Sequence, residues 1–319
     1  MDWWMLAVGA VLVVVAAVDA VSTSLSPSTR AGPLTGATTA AVWAAISRIP
    51  GGIPRVTAGP LILTLTAGSW LLLWVGWALI FSADPSAVVE ASTGQPADLS
   101  GRFFFAAYTV FTLGLGNYVP AGSWENIASL ALINGLGLAT LAITYLVPVV
   151  TAVTDRRRQA AFIACLGSGP SDIVRNTAEG GFAAIGSSLP ALTRDILLTG
   201  ERHLTYPVMH YFRGIDERSA LPVQLAALDD ALFLIQASEH RLDPGLVRQF
   251  RAAVDSLLDL RATEDRDIDA PPVPDFGLLD DLGIANDAER LSRDLKANRP
   301  RRLRLQAYLE RTDWRWPQH

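Results

Sequence analysis

The sequence contains a single cysteine, Cys165, so an intrachain disulfide cannot form and a cysteine-based metal site is not available. Histidine is nearly as scarce. His203, His210, His240 and His319 are scattered without paired spacing, and none precedes position 203. Ser69, in "TAGSW", therefore has no nearby histidine in sequence to serve as its base, and no carboxylate pair accompanies it. The chain reads as non-enzymatic, with no catalytic residue and no resident metal or cofactor. Lysine occurs once, at Lys296. No apolar segment carries spaced arginines, which excludes a voltage-sensing helix.

Charge is the next scarcity, and it is uneven. Only 18% of the 319 residues are charged and 50% are hydrophobic. Residues 1–154 hold four basic groups (Arg30, Arg48, Arg55, Arg102) and six acidic ones (Asp2, Asp19, Asp84, Glu90, Asp98, Glu125), leaving 22 basic and 25 acidic groups beyond. An apolar membrane half precedes a charged aqueous half. Three segments reach the ~20 residues that a span needs: Trp3–Val21, Pro60–Ser82 and roughly 126–153. The first begins "MD", with no basic n-region and no small-residue cleavage site, and reads as a retained span rather than a signal peptide.

Loop charges orient these spans. Loop 22–59 holds Arg30, Arg48 and Arg55 and no acid, loop 83–101 holds Asp84, Glu90 and Asp98 and no base, and "TDRRRQ" follows the third span. Basic sides are cytoplasmic. The N-terminus is expected outside and the C-terminal half inside. Within loop 22–59, "ATTAAVWAAISRI" reads as an interfacial helix and "PGGIP" as its breaker. Asp19 is the lone acid inside a span. Its place in the last turn before the cytoplasm predicts that it reaches water.

The outer loop carries the chemistry. After "DPSAVVEASTGQPADLS" comes "GRFFFAAYTVFT", an apolar run too short to cross, with Asp98 or Ser100 placed to cap it. A half-helix of this length suits a re-entrant segment whose C-terminal end, partially negative, favours a cation. The following "TLGLGN" must return to the surface as non-helical chain, tolerated in a bilayer only where it is buried in protein or lines a water-filled path. Gly114 and Gly116 permit positive φ, so successive carbonyls can face one axis. Four such loops around that axis would replace an ion's hydration shell.

"TVFTLGLGNYVPAG", in the order span, half-helix, loop, span, resembles the pore module of potassium channels, whose usual filter core is TVGYGD. It is similar to the GLGDYVPG variant in the second pore loop of two-pore-domain potassium channels. The resemblance covers about 95 residues, roughly 60–154. It implies an outer helix (60–82), a pore helix (about 101–112), a filter of Thr112, Leu113, Gly114, Leu115, Gly116 and Asn117, and an inner helix (126–153). Phe111 stands where a second threonine is common, Leu115 replaces tyrosine and loses the hydroxyl that braces the filter from behind, and Asn117 replaces aspartate. These changes bear on potassium-over-sodium selectivity rather than on the existence of a pore. The inner helix offers Gly135, Gly137 and Pro148 as a gating hinge, with close packing of small residues as the competing role for the glycines. Thr140 and Thr144 either face a cavity or satisfy backbone locally. Glu125 is placed at the outer mouth, where it either concentrates cations or is an ordinary solvated charge at the end of a span. Asp155–Arg158 reads as an orientation signal before a lipid site.

Residues 155–319 read as helical, with three-and-four apolar spacing in "ALPVQLAALDDALFLIQASEH" and "PGLVRQFRAAVDSLLDLRATE". "CLGSGPSD" lacks a preceding strand and GxGxxG spacing, so Pro170 and Ser171 mark a helix start rather than a phosphate loop. "TEDRDIDAPPVPD" reads as a linker and "RRLRLQAYLER" as a packed terminal helix.

The expectation is an all-α membrane protein in three parts. Residues 1–59 form a span and linker, 60–154 the pore module and 155–319 a helical cytoplasmic domain. The expected function is a potassium- or cation-selective channel in the plasma membrane, a homotetramer because one loop cannot surround an ion. The permeant ion is its only cofactor, and its partners are its own copies, the lipid bilayer and an unidentified cytoplasmic ligand, with no nucleic acid. The alternative is a non-conducting membrane sensor with a pore-like fold.

Overall fold

The computed structural model describes residues 1–25, 32–48, 57–260 and 269–317. Arg30, Arg55, the breaker "PGGIP" and the start of the acidic linker (263–268) lie outside the described residues. The chain divides into two compact units, Met1–Val150 and Thr151–His319. In order, the first unit contains α1 (Trp3–Leu25), α2 (Pro33–Arg48), α3 (Ala58–Ser69), α4 (Leu72–Ser82), β1 (Val88–Glu90), α5 (Leu99–Val110), β2 (Tyr118–Pro120) and most of α6 (Trp124–Ala164). Three helical stretches are long and apolar enough to cross a membrane: Trp3–Ser24, Ala58–Ser82 and Trp124–Ala164. The second of these is α3 and α4 joined through a turn at Trp70–Leu71.

Helix α1 lies on α4 through a glycine pair. A Cβ on Gly9 would sit 2.6 Å from the Gly76 carbonyl oxygen, and one on Gly76 would sit 2.8 Å from that of Gly9. Small residues permit this approach, which gives two lipid-embedded helices their dispersion contact. Valines on the opposite side of α1, Val11, Val14 and Val18, stay exposed.

Asp19 departs from expectation. It is fully buried, and its carboxylate accepts from the backbone N–H of Leu34 (2.7 Å) and Thr35 (3.0 Å), the Thr35 hydroxyl (2.8 Å) and Trp70 Nε1 (3.1 Å). The reason lies in α2. It begins at Pro33, earlier than the "ATTAAV" run suggests, and its first free N–H groups have no local acceptor. Asp19 supplies one from the neighbouring span and ties α1, α2 and the Trp70 turn together.

The second unit comprises α7 (Pro170–Ala178), α8 (Ala183–Thr205), two short 3₁₀ turns, α9 (Leu221–Ala237), α10 (Pro244–Asp259), α11 (Gly277–Asp281), α12 (Ala288–Ala297) and α13 (Arg299–Arg311). Every residue of α9 is buried, as its apolar circumference requires. Two of those residues are acids. Asp229 meets Arg301 (3.2 Å) and Arg251 (3.3 Å), while Asp230 meets Arg302 (3.1 Å) and accepts from Trp316 Nε1 (2.7 Å). Arg301 and Arg302 of α13 thus turn inward, and Phe233 packs its ring 4.2 Å beneath the Arg251 guanidinium. The C-terminal part of α6, from Thr151, belongs to this unit. Arg156 donates to the carbonyls of Met209 and Phe212, and Gln159 bridges the Asp195 carbonyl and the Thr199 hydroxyl.

Candidate functional site

The half-helix α5 is positioned from its start. Asp98 is the cap, its carboxylate accepting from Gly101 N–H at 2.7 Å. Arg102 reaches the carbonyls of Ala97 (3.0 Å) and Ser82 (3.2 Å), the latter at the end of α4, where a cation also meets the negative pole of that helix. Trp74 on α4 donates from Nε1 to the Phe103 carbonyl at 3.2 Å. Twelve residues give α5 a length of about 18 Å, short of the ~30 Å hydrocarbon core.

Its C-terminal end closes as a Schellman motif. Leu113 N–H bonds the Tyr108 carbonyl (2.8 Å) and Thr112 N–H bonds that of Thr109 (3.2 Å). The residue in the left-handed seat is Thr112, at φ 57, where glycine is the usual occupant. A β-branched residue there carries strain of about 1–3 kcal/mol. Gly114 (φ 59) and Gly116 (φ 76) follow, so positive φ recurs at every second residue. That alternation lets successive carbonyls project to one side of the chain.

Among the described residues, no hydrogen bond is made to the carbonyls of Thr112, Leu113, Gly114, Leu115 or Gly116. Phe111 through Asn117 are all exposed. Asn117 differs from its neighbours, because its carbonyl accepts from Ala91 N–H at 3.0 Å. The run of free carbonyls therefore ends one residue earlier than the predicted filter.

The segment beyond is pinned by a sheet that sequence reading missed. β1 and β2 pair antiparallel, with Val88 opposite Pro120, Val89 opposite Val119 and Glu90 opposite Tyr118. Three-residue strands leave almost no periodic signal; "AVVE" and "NYVP", short and β-branched, were the available hint. Tyr108 adds a second missed contact, its hydroxyl donating to the Tyr118 carbonyl. Gly101 makes room for the Tyr118 ring, since a Cβ there would lie 2.8 Å from it.

On the inner helix, Gly135 is closely packed. A Cβ on Gly135 would fall 2.0 Å from the Val110 carbonyl oxygen, so this glycine is where α6 meets the end of α5. Gly137 has open space around it, and α6 runs unbroken through Gly135, Gly137 and Pro148. Thr140 and Thr144 bond back to the carbonyls of Leu136 and Thr140, satisfying backbone locally. Glu125 is exposed in the first turn of α6 and shares a groove with Gly114 and Gly116. Among the described residues, no group of three or more His, Cys, Asp or Glu is placed to hold a metal. In the second unit, His203 and His210 stand edge to face with ring centres 5.5 Å apart.

Residues 69–152 match the family described as ion channel. The chain is also similar to the uncharacterized membrane protein YdjJ of Bacillus subtilis (strain 168), 30% identical over 286 residues that cover 86% of this chain and 84% of the relative. No solved structure matches it. A capped half-helix between two spans, ending in a glycine-alternating loop with free carbonyls, falls inside the matched residues, and the chain, a relative of that membrane protein, carries an ion channel family domain over residues 69–152.

Proposed function

We propose that this chain forms a potassium-selective channel, conducting through a homotetrameric filter lined by the carbonyls of Thr112 to Gly116. The observation that carries the reading is positive φ at Thr112, Gly114 and Gly116 along a run of unbonded carbonyls. Such a run in a bilayer requires either protein around it or an aqueous path, and four copies supply both. The exposed apolar side chains of the inner helix, among them Ile133, Leu136 and Ile143, are consistent with helix neighbours or lipid around it. The N-terminus faces outward and the C-terminal unit lies in the cytoplasm, as the loop charges direct. The inner helix forms the gate, with Pro148 near its cytoplasmic end. Glu125 adds negative potential at the outer mouth.

Flux from proteoliposomes tests this reading. Vesicles loaded with potassium chloride and diluted into sodium chloride should release potassium, becoming negative inside and drawing in protons through an added protonophore. Proton uptake no faster than in protein-free vesicles would count against conduction and favour a non-conducting sensor. Light scattering in detergent should give the mass of four chains plus bound detergent.

A further inference from the structure

Both ends of the loop are fastened to one residue. At the inner end, Leu113 N–H bonds the backbone carbonyl of Tyr108 at 2.8 Å. At the outer end, the Tyr108 hydroxyl donates to the backbone carbonyl of Tyr118. Between these two anchors lie Leu113 to Tyr118, the stretch that contains Gly114, Leu115 and Gly116. Tyr108 is itself buried. It is 6% exposed and packed edge-on by Phe104 (ring centres 5.6 Å apart) and Phe105 (5.3 Å).

The loop needs such a fastening. Three of its residues hold positive φ, one of them a threonine. Its carbonyls share no protein donors among the described residues and repel one another when aligned. Leu113 and Leu115 carry no polar group with which to brace the loop from its own side chains. The other ties at the outer end, the Ala91 N–H to the Asn117 carbonyl and the pairing of Tyr118 with Glu90, come from β1 and the residue after it rather than from α5.

We infer that Tyr108 is a positioning residue for ion selection, a rigid phenol whose carbonyl and hydroxyl together fix the span of the carbonyl array. This rests on the channel reading above. Removing the hydroxyl leaves the ring, its packing and the Leu113 bond in place, and loosens only the outer end from α5, where the ties to β1 remain. An array loosened from the half-helix adjusts to a smaller ion, so discrimination between potassium and sodium falls while conduction persists.

The test is Tyr108→Phe in the full-length protein, beside the wild type. Bi-ionic reversal potentials give the potassium-to-sodium permeability ratio. Melting temperature in potassium chloride against sodium chloride gives ion protection without any current. The expected result is unchanged oligomer mass, a permeability ratio lower by about fivefold or more, as loss of one hydrogen bond's discrimination implies, and a smaller potassium-over-sodium gain in melting temperature. A conducting variant with the wild-type ratio and wild-type ion protection overturns the inference and leaves the channel reading standing. A variant that no longer assembles also overturns it, since Tyr108 would then serve the fold. If the wild type carries no current but is protected by potassium, the protection assay alone decides on Tyr108. If the wild type shows neither current nor protection, the channel reading fails and the inference falls with it.

Discussion

Asp19 and Asp230 are buried acids with opposite circumstances. Asp19 accepts four hydrogen bonds, two from the start of α2, one from the Thr35 hydroxyl and one from Trp70. Asp19→Asn keeps the shape but replaces one acceptor oxygen with a donor. The expected loss is about 2–3 kcal/mol, the scale for a buried charge-assisted bond lost with its partners left unpaired, read as a lower melting temperature in detergent. A melting temperature equal to wild type would contradict the capping role. This partnership was illegible in sequence, because Asp19 and Trp70 are 51 residues apart and nothing local shows that α2 folds back onto α1. Asp230 in the second unit is pushed up to about 7 from 3.8, burial outweighing the pull of Arg302 and of the Trp316 hydrogen bond, with Asp229 raising it further. The folded protein therefore holds this proton more tightly than the unfolded chain. The stabilisation is complete below about pH 4 and lost as pH rises through 7. Denaturant melts of wild type against Asp230→Asn should show stability falling between those limits in the wild type, relative to a flatter profile in the variant. Parallel profiles would contradict it.

At the scale of elements, the inner helix separates two glycines that sequence treated alike. Gly135 abuts the Val110 carbonyl and Gly137 faces open space. Gly135→Ala should push α6 away from α5, with loss of ion flux and of assembled oligomer. Gly137→Ala should be tolerated and add roughly 1 kcal/mol of helix stability by propensity. Equal damage from both would restore a shared hinge role and contradict the packing assignment, with flux and oligomer mass as the readouts. The long helices, the capped half-helix and the breaker at Pro170 were legible because each is written in local pattern: apolar length, Asp98 before "GRFFF", proline at a helix start. The β1–β2 pair was not, since three residues give no period. Nor was the inward turn of Arg301 and Arg302, because their partners, Asp229 and Asp230, lie in a distant helix, 72 residues away for Arg301 and Asp229.

Over the whole molecule, an apolar unit that ends at Val150 carries most of the ion channel match, and a helical unit beginning at Thr151 has its own buried core. The order of segments and the three glycine and threonine positions of the loop were readable from sequence. The means by which the loop is held were not, because they come from Tyr108, Ala91 and the strand Val88–Glu90. The central claim is that the carbonyls of Thr112 to Gly116 select and pass potassium. Its most direct test is the reversal potential of the purified protein in planar bilayers under opposed potassium and sodium gradients, with Gly114→Ala as comparison, since a Cβ at φ 59 strains the alternation. The account predicts reversal near the potassium equilibrium potential in the wild type and loss of that current in the variant. Reversal near zero, or a current indifferent to Gly114→Ala, would contradict it.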